Sequence, residues 1–216
     1  MPHSDRSTHA VMVQYMKNNC KGNIKILDCG IGSGFIAEAI HDKIDGNLLN
    51  IIGLEICWDY IHNEVIKRQI GPIYHHLYDK IIDGPEANFA HWLDEKEDKS
   101  FDVIIFGDSL EHVGPEWAEH SLSMAIKKAR YVFVNAPIID YPQGPAFGNE
   151  WETHHLFWKK EHYEMLGGVY LGGNEIVGCF IFDENSCAHS KLKLKTKTEQ
   201  DEIGHSTLDS LGNILS

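Results

Sequence analysis

The chain has 216 residues, 43% of them hydrophobic and 24% charged, and a formal net charge of −13. That composition belongs to a globular protein able to bury one core without staples, with room for a tail. The acidic balance argues against a broad nucleic-acid footprint, which needs a basic face, and no run approaches the roughly 18 apolar residues of a membrane span.

Residues 1–23 are polar, with a short helical pattern at Ala10, Val11, Val13, Tyr15 and Met16. Two roles are open for this helix: a lid over a ligand mouth, or packing ahead of the first strand. An apolar run over residues 24–29 then reads as a strand, with Asp28 near its end. Gly30, Gly32 and Gly34 follow at alternate positions, and a helical apolar pattern (Phe35, Ile36, Ala39, Ile40) runs to about Lys43. Strand, tight glycine turn and helix start form a site for a polar, nucleotide-like ligand. Glycine has no Cβ to hold a ligand off the backbone and accepts positive φ. The helix start offers free N–H donors and a positive dipole end. The dinucleotide fingerprint Gly-x-Gly-x-x-Gly fails, because its last glycine would fall at Phe35.

The pattern Asp28-x-Gly30-x-Gly32-x-Gly34 resembles the first motif of the class I S-adenosylmethionine-dependent methyltransferases. The resemblance implies that this loop wraps the methionine part of the cofactor and that Asp28 takes part in holding it. A second strand over 49–55 ends in Glu55, about twenty residues past the loop. An acid there accepts hydrogen bonds from both ribose hydroxyls in nucleotide-binding doubly wound folds. Cys57 or Trp58, just beyond, is placed to line the adenine, although a core tryptophan on a helix over 58–69 fits equally. Gly71-Pro72 breaks that helix. Residues 80–84 read as the third strand, with a helix over 88–93. The resemblance implies an acid after strand three against the adenine amino group, and Asp83 and Glu86 both fit that position.

Residues 101–108 are apolar almost throughout, the mark of a strand covered on both faces. They lead into Asp108-Ser109-Leu110-Glu111-His112-Val113, which resembles the family's fourth motif in its Leu-Glu-His-Val form. Asp108 is expected near the methionine portion, with Glu111 and His112 opening toward the acceptor. A helix over 116–129 and a fifth strand over 131–137 follow. The long polar and aromatic segment 138–158 lies at the working edge of the sheet. Its Glu152…His154…Trp158 spacing resembles a signature found after strand five in many small-molecule methyltransferases. A helix over 159–166 and closing strands over 169–171 and 175–182 complete the domain.

Residues 184–216 read as a tail or an extra edge strand, basic at 191–197. The expected organisation is an N-terminal helical segment (1–23), a methyltransferase domain (24–183) and this tail. The resemblance covers about residues 20–183. It implies a Rossmann-like α/β sheet of seven strands, order 3-2-1-4-5-7-6, with strand seven antiparallel.

The five cysteines are odd in number, widely spaced and form no Cys-x-x-Cys pair, so neither zinc site nor disulfide framework is expected. Among the fourteen histidines, the adjacent pairs His75–His76 and His154–His155 are poor two-point ligands, since neighbouring side chains diverge. No metal is expected. The start has no apolar signal region, so a cytoplasmic location is the default.

S-adenosyl-L-methionine, leaving as S-adenosyl-L-homocysteine, is the expected cofactor. The expected partner is a small-molecule acceptor methylated on oxygen or nitrogen, with no membrane, nucleic acid disfavoured and a homodimer left open. His112 and His154 are the candidate catalytic bases, because a near-neutral imidazole suits proton removal. Either could instead order its loop. No Asn-Pro-Pro-Tyr or Asp-Pro-Pro-Tyr follows strand four, which disfavours the base and amide N-methyltransferases that carry it. The alternatives are a protein or RNA methyltransferase with an open site, and a non-catalytic S-adenosylmethionine- or nucleotide-binding module.

Overall fold

A computed structural model of the protein describes residues 6–183; the expected tail or edge strand at 184–216 lies outside them. One sheet of seven strands organises these residues, in the order β3-β2-β1-β4-β5-β7-β6. Its strands are β1 (Ile24–Cys29), β2 (Leu49–Glu55), β3 (Lys80–Asp83), β4 (Phe101–Gly107), β5 (Ala129–Pro137), β6 (Val169–Gly173) and β7 (Val177–Phe182). The first five are parallel, and β7 runs antiparallel to both β5 and β6. Order and direction are those expected from the sequence.

Strand alternation divides the core into two apolar layers, one on each face. Leu27, Ile104, Phe106, Val132, Val134, Phe180 and Phe182 point to one. Ile26, Val103, Ile105, Phe133 and Ile181 point to the other. The first layer is closed by α6 (Pro115–Lys128), through Leu122 and Ala125, and by Tyr163 of α7 (Lys160–Met165), stacked on Phe180 at 4.5 Å. The second is closed by α2 (Phe35–His41) and α1 (Arg6–Asn19). Met12 and Met16 of α1 are fully buried, and the Asn135 amide donates to Met12 Sδ at 3.8 Å. Of the two roles open for this helix, α1 takes packing: it lies on α2, β6 and β7. No helix among the described residues is long and apolar enough to cross a membrane.

The expected helix over 58–69 is two helices, α3 (Trp58–His62) and α4 (Glu64–Ile70). Asn63 leaves helical geometry (φ −94°, ψ 104°), and its side chain accepts from the backbone N–H groups of Val65 and Ile66. An asparagine that caps so well starts a new helix in the middle of an apolar period. At the far edge, β7 begins at Val177 and not at residue 175. The Asn174 carboxamide accepts from the Ile176 and Val177 N–H groups and tightens the hairpin.

The carboxyl ends of β1, β2 and β4 bring Gly30, Glu55 and Asp108 to one crest, where ligands bind in open α/β sheets. Gly53 of β2 lies just under that crest. A Cβ there would stand 2.8 Å from Ile31 Cγ2 and 2.9 Å from the Tyr78 ring. Gly53→Val should therefore lower unfolding stability by about 1–3 kcal/mol through overpacking; an unchanged urea midpoint would contradict this packing.

Candidate active site

The glycine loop is held from below by β2. The N–H groups of Gly30 and Ile31 both donate to the Leu54 carbonyl, at 2.8 and 3.1 Å. Gly30, Gly32 and Gly34 all have positive φ, at 82°, 49° and 82°. At Gly30 a Cβ would come within 2.8 Å of Ser109 Cβ, so close approach and backbone conformation both demand glycine. Gly34 is the N-cap of α2. His75 Nε2 lies 2.6 Å from the Gly32 carbonyl and clasps the outer side of the loop.

Two carboxylates underlie this turn. Glu55 is buried; its Oε2 accepts from Gly32 N at 2.8 Å and its Oε1 from Cys57 N at 2.8 Å. Burial raises its pKa to about 7 against the pull of those two bonds, and the charges of Glu152 and Asp28 add to the rise. Asp28 is also buried. The Tyr78 hydroxyl donates to its Oδ2 at 2.6 Å, while Oδ1 has no partner. Burial raises Asp28 to about 7 as well, the tyrosine bond offsetting part of the rise.

Above the crest lies a cleft of ≈ 830 Å³, counting the space open to solvent at its mouth. Gly30, Gly32, Glu55, Asp108 and His112 are on its wall, with Tyr60, Asn88, Phe89, Asn149, Trp151 and Glu152. Three carboxylates line it, and no lysine or arginine among the described residues does. Asp108 is reached through a left-handed turn (φ 48°), its N–H donating to the Asn135 carbonyl at 2.8 Å. Aspartate tolerates that conformation better than most residues.

Five expected site residues lie elsewhere. Asp28 sits beneath the loop, against Tyr78, and not on the cleft wall. The Cys57 side chain turns into a small apolar cluster with Tyr60 and Ile70, leaving only its N–H for Glu55. Glu86 is exposed on the outside of the turn Gly84–Ala87, in a groove with Lys80 and His91. The residues that this turn presents to the cleft are Ala87, Asn88 and Phe89, the last opening α5 (Phe89–Asp94). Asp83, the other adenine candidate, is engaged with His62. Trp58 is 57% exposed beside His62, in neither the core nor the cleft.

The acceptor end is built from two loops. His112 follows β4 and is on the cleft wall. His154, in the segment after β5, lies behind it, the two rings edge to face at 4.8 Å. Leu156 and Trp158 anchor that segment in the core, and the N–H groups of His155 and Leu156 both donate to the Glu111 carbonyl. Burial lowers His112 to about 4, which favours the neutral imidazole, and burial lowers His154 as well. The Glu111 carboxyl is buried and pushed well up, with Asp108 adding to the effect of burial. Tyr60 was not legible in the sequence as a site residue. Its hydroxyl donates to Glu152 at 2.5 Å and accepts from Asn149 at 3.2 Å, tying α3 to the loop after β5.

No protein-family model matches the sequence, and no curated protein matches it. Solved structures do resemble it. The PH0226 protein of Pyrococcus horikoshii superposes with a TM-score of 0.51 at 17% identity, covering 81% of this chain and 88% of its own. The methyltransferase domain of a bacterial Hen1 gives 0.54 at 14% identity, covering 84% of this chain and all of its own. A Burkholderia thailandensis 1,6-didemethyltoxoflavin N1-methyltransferase, solved with its substrate and S-adenosylhomocysteine, gives 0.52 at 11% identity, covering 82% of this chain and 78% of its own. The chain has the class I methyltransferase fold. In this fold the glycine loop, Glu55 and Asp108 occupy the crest formed by the first, second and fourth strands.

Burial of Asp28 sets a pH dependence. Its folded pKa of about 7 exceeds the unfolded value of about 3.9. The carboxyl therefore costs nothing below pH 4 and destabilises the native state progressively as pH rises through 7. Asp28→Asn should raise the melting temperature by a few degrees at pH 8 and leave it unchanged at pH 4. Equal effects at both pH values would contradict the assigned burial.

Proposed function

We propose that the protein is an S-adenosylmethionine-dependent methyltransferase acting on oxygen or nitrogen of a small molecule. The observation that carries this reading is the charge of the cleft: Glu55, Asp108 and Glu152 line it with no lysine or arginine among the described residues. A pyrophosphate-bearing dinucleotide would meet three carboxylates there, a repulsive arrangement. A cofactor with an ammonium, a sulfonium and an uncharged ribose would meet complementary charge.

The roles follow from position. Gly30 and Gly32 admit the cofactor to the bare backbone. Glu55 keeps its two backbone bonds and has lone pairs left on each oxygen for two ribose hydroxyls. Phe89 and Asn88 flank the base. Asp108 faces the methionine portion, and Asp28 acts from beneath by holding Tyr78 under the loop. The bound cofactor supplies a methyl group on a positive sulfur, open to in-line attack. His112 is the acceptor-side residue on the wall, seconded by His154 and Glu152; these residues orient the acceptor and take part in losing its proton.

One observation favours a larger acceptor. A groove continuous with the cleft carries the exposed rings of Trp58, Phe147 and Trp151, which would stack on a nucleobase. The net charge of −13 opposes a polyanion there, so the small acceptor remains the preferred reading.

Gly32→Val and Glu55→Ala should each weaken S-adenosylhomocysteine binding at least about 100-fold, about 2.7 kcal/mol, with the exposed Glu150→Ala as an unaffected control. Normal affinity in both would remove the site assignment. For the acceptor, the protein is incubated with methyl-labelled cofactor and a cell extract, then fractionated by size. Label in the low-mass fraction is expected, and His154→Ala should reduce it about 100-fold with cofactor affinity intact. Label in protein or RNA would overturn the acceptor class. No label despite tight binding would favour a non-catalytic module.

A further inference from the structure

The loops after β4 and β5 place three ligand-type side chains at one point of the cleft. Glu111 is only 2% exposed, and its Oε2 has no hydrogen-bond partner. A buried carboxylate oxygen left so is costly unless something outside the protein's own groups satisfies it. One ligand atom each from Glu111, His112 and His154 lies within 4.8 Å of the other two. His154 Nδ1 is 2.7 Å from the Tyr141 carbonyl, which makes Nδ1 the N–H donor and leaves the Nε2 lone pair available. An imidazole anchored through its second nitrogen to a carbonyl is the usual support of a metal ligand. His112 Nδ1 faces the Thr153 carbonyl at 3.4 Å, a longer version of the same arrangement.

We infer that Glu111, His112 and His154 form a binding site for one divalent transition-metal ion. Two imidazoles and a carboxylate suit zinc, manganese or cobalt better than magnesium or calcium, which prefer all-oxygen shells. Closing on an ion brings the ligand atoms from at most 4.8 Å apart to the ~3.0–3.5 Å of neighbouring ligands, a side-chain adjustment. Glu152, whose charge acts on all three groups, adds to the attraction for a cation. His112 is on the cleft wall, so the open coordination position faces the cleft. An acceptor hydroxyl taken there would be acidified and aligned by the ion. That last role rests on the methyltransferase reading; ion binding itself does not. The sequence suggested no metal because the ligands come from two separate loops and neither adjacent histidine pair supplies both imidazoles.

The full-length chain, stripped with a chelator and desalted, is titrated with Zn²⁺ and with Mn²⁺ by calorimetry. One ion per chain is expected. Glu111→Gln, His112→Asn and His154→Ala should each weaken binding about 100-fold, with His62→Ala, on the exposed side of α3, unaffected. Metal-free melting temperatures identify any variant that fails to fold, and the isosteric Glu111→Gln is decisive by itself. No stoichiometric binding, or binding that survives Glu111→Gln in a folded chain, overturns the inference. S-adenosylhomocysteine is titrated into the same stripped protein. Its binding without metal binding removes only the ion site, whereas metal binding without it removes only the methyltransferase reading.

Discussion

The site depends on one buried carboxylate. Glu55 holds Gly32 through one oxygen and Cys57 through the other, so a single side chain ties the glycine loop to the start of α3. That geometry is costly, because burial works against the charge and no lysine or arginine on the cleft wall offsets it. Two backbone N–H donors supply part of the compensation. Each oxygen also retains a lone pair, so a ligand that donates hydroxyls would supply more.

The same logic runs across the cleft. Asp28 under the loop and Glu111 under the acceptor end each keep one buried oxygen without a partner. Two imidazoles, both lowered in pKa by burial, stand beside the second of these. Such groups are tolerated only where the surrounding fold is rigid enough to hold them, and here β1, β4 and two packed apolar layers do so. The carboxylates on the cleft wall give it a charge complementary to cationic and hydroxyl-bearing groups.

Much of the fold was legible because the buried strands announce themselves. The apolar run of β4 and the glycine spacing after β1 needed no tertiary information. Strand order followed from a family resemblance, not from periodicity. Glu55 was legible because a strand-end acid keeps its place whatever the loops do. Glu86 was not: the turn Gly84–Ala87 rotates it outward and presents Asn88 and Phe89 instead, a rotation that local composition does not encode. The split at Asn63 was missed because an apolar period continued through it while the cap chemistry won. Tyr60 and the convergence of Glu111, His112 and His154 depend on contacts between distant loops, for which sequence spacing carries no signal.

The charge of the crest favours S-adenosylmethionine over a dinucleotide. Calorimetric titration of the wild-type chain with S-adenosylhomocysteine, S-adenosylmethionine and NAD tests it most directly. Micromolar or tighter binding of the first two, with none of NAD, is the predicted result. Binding of NAD, or no binding of either S-adenosyl compound, would contradict the account of the charge in the cleft and of Glu55 at its floor.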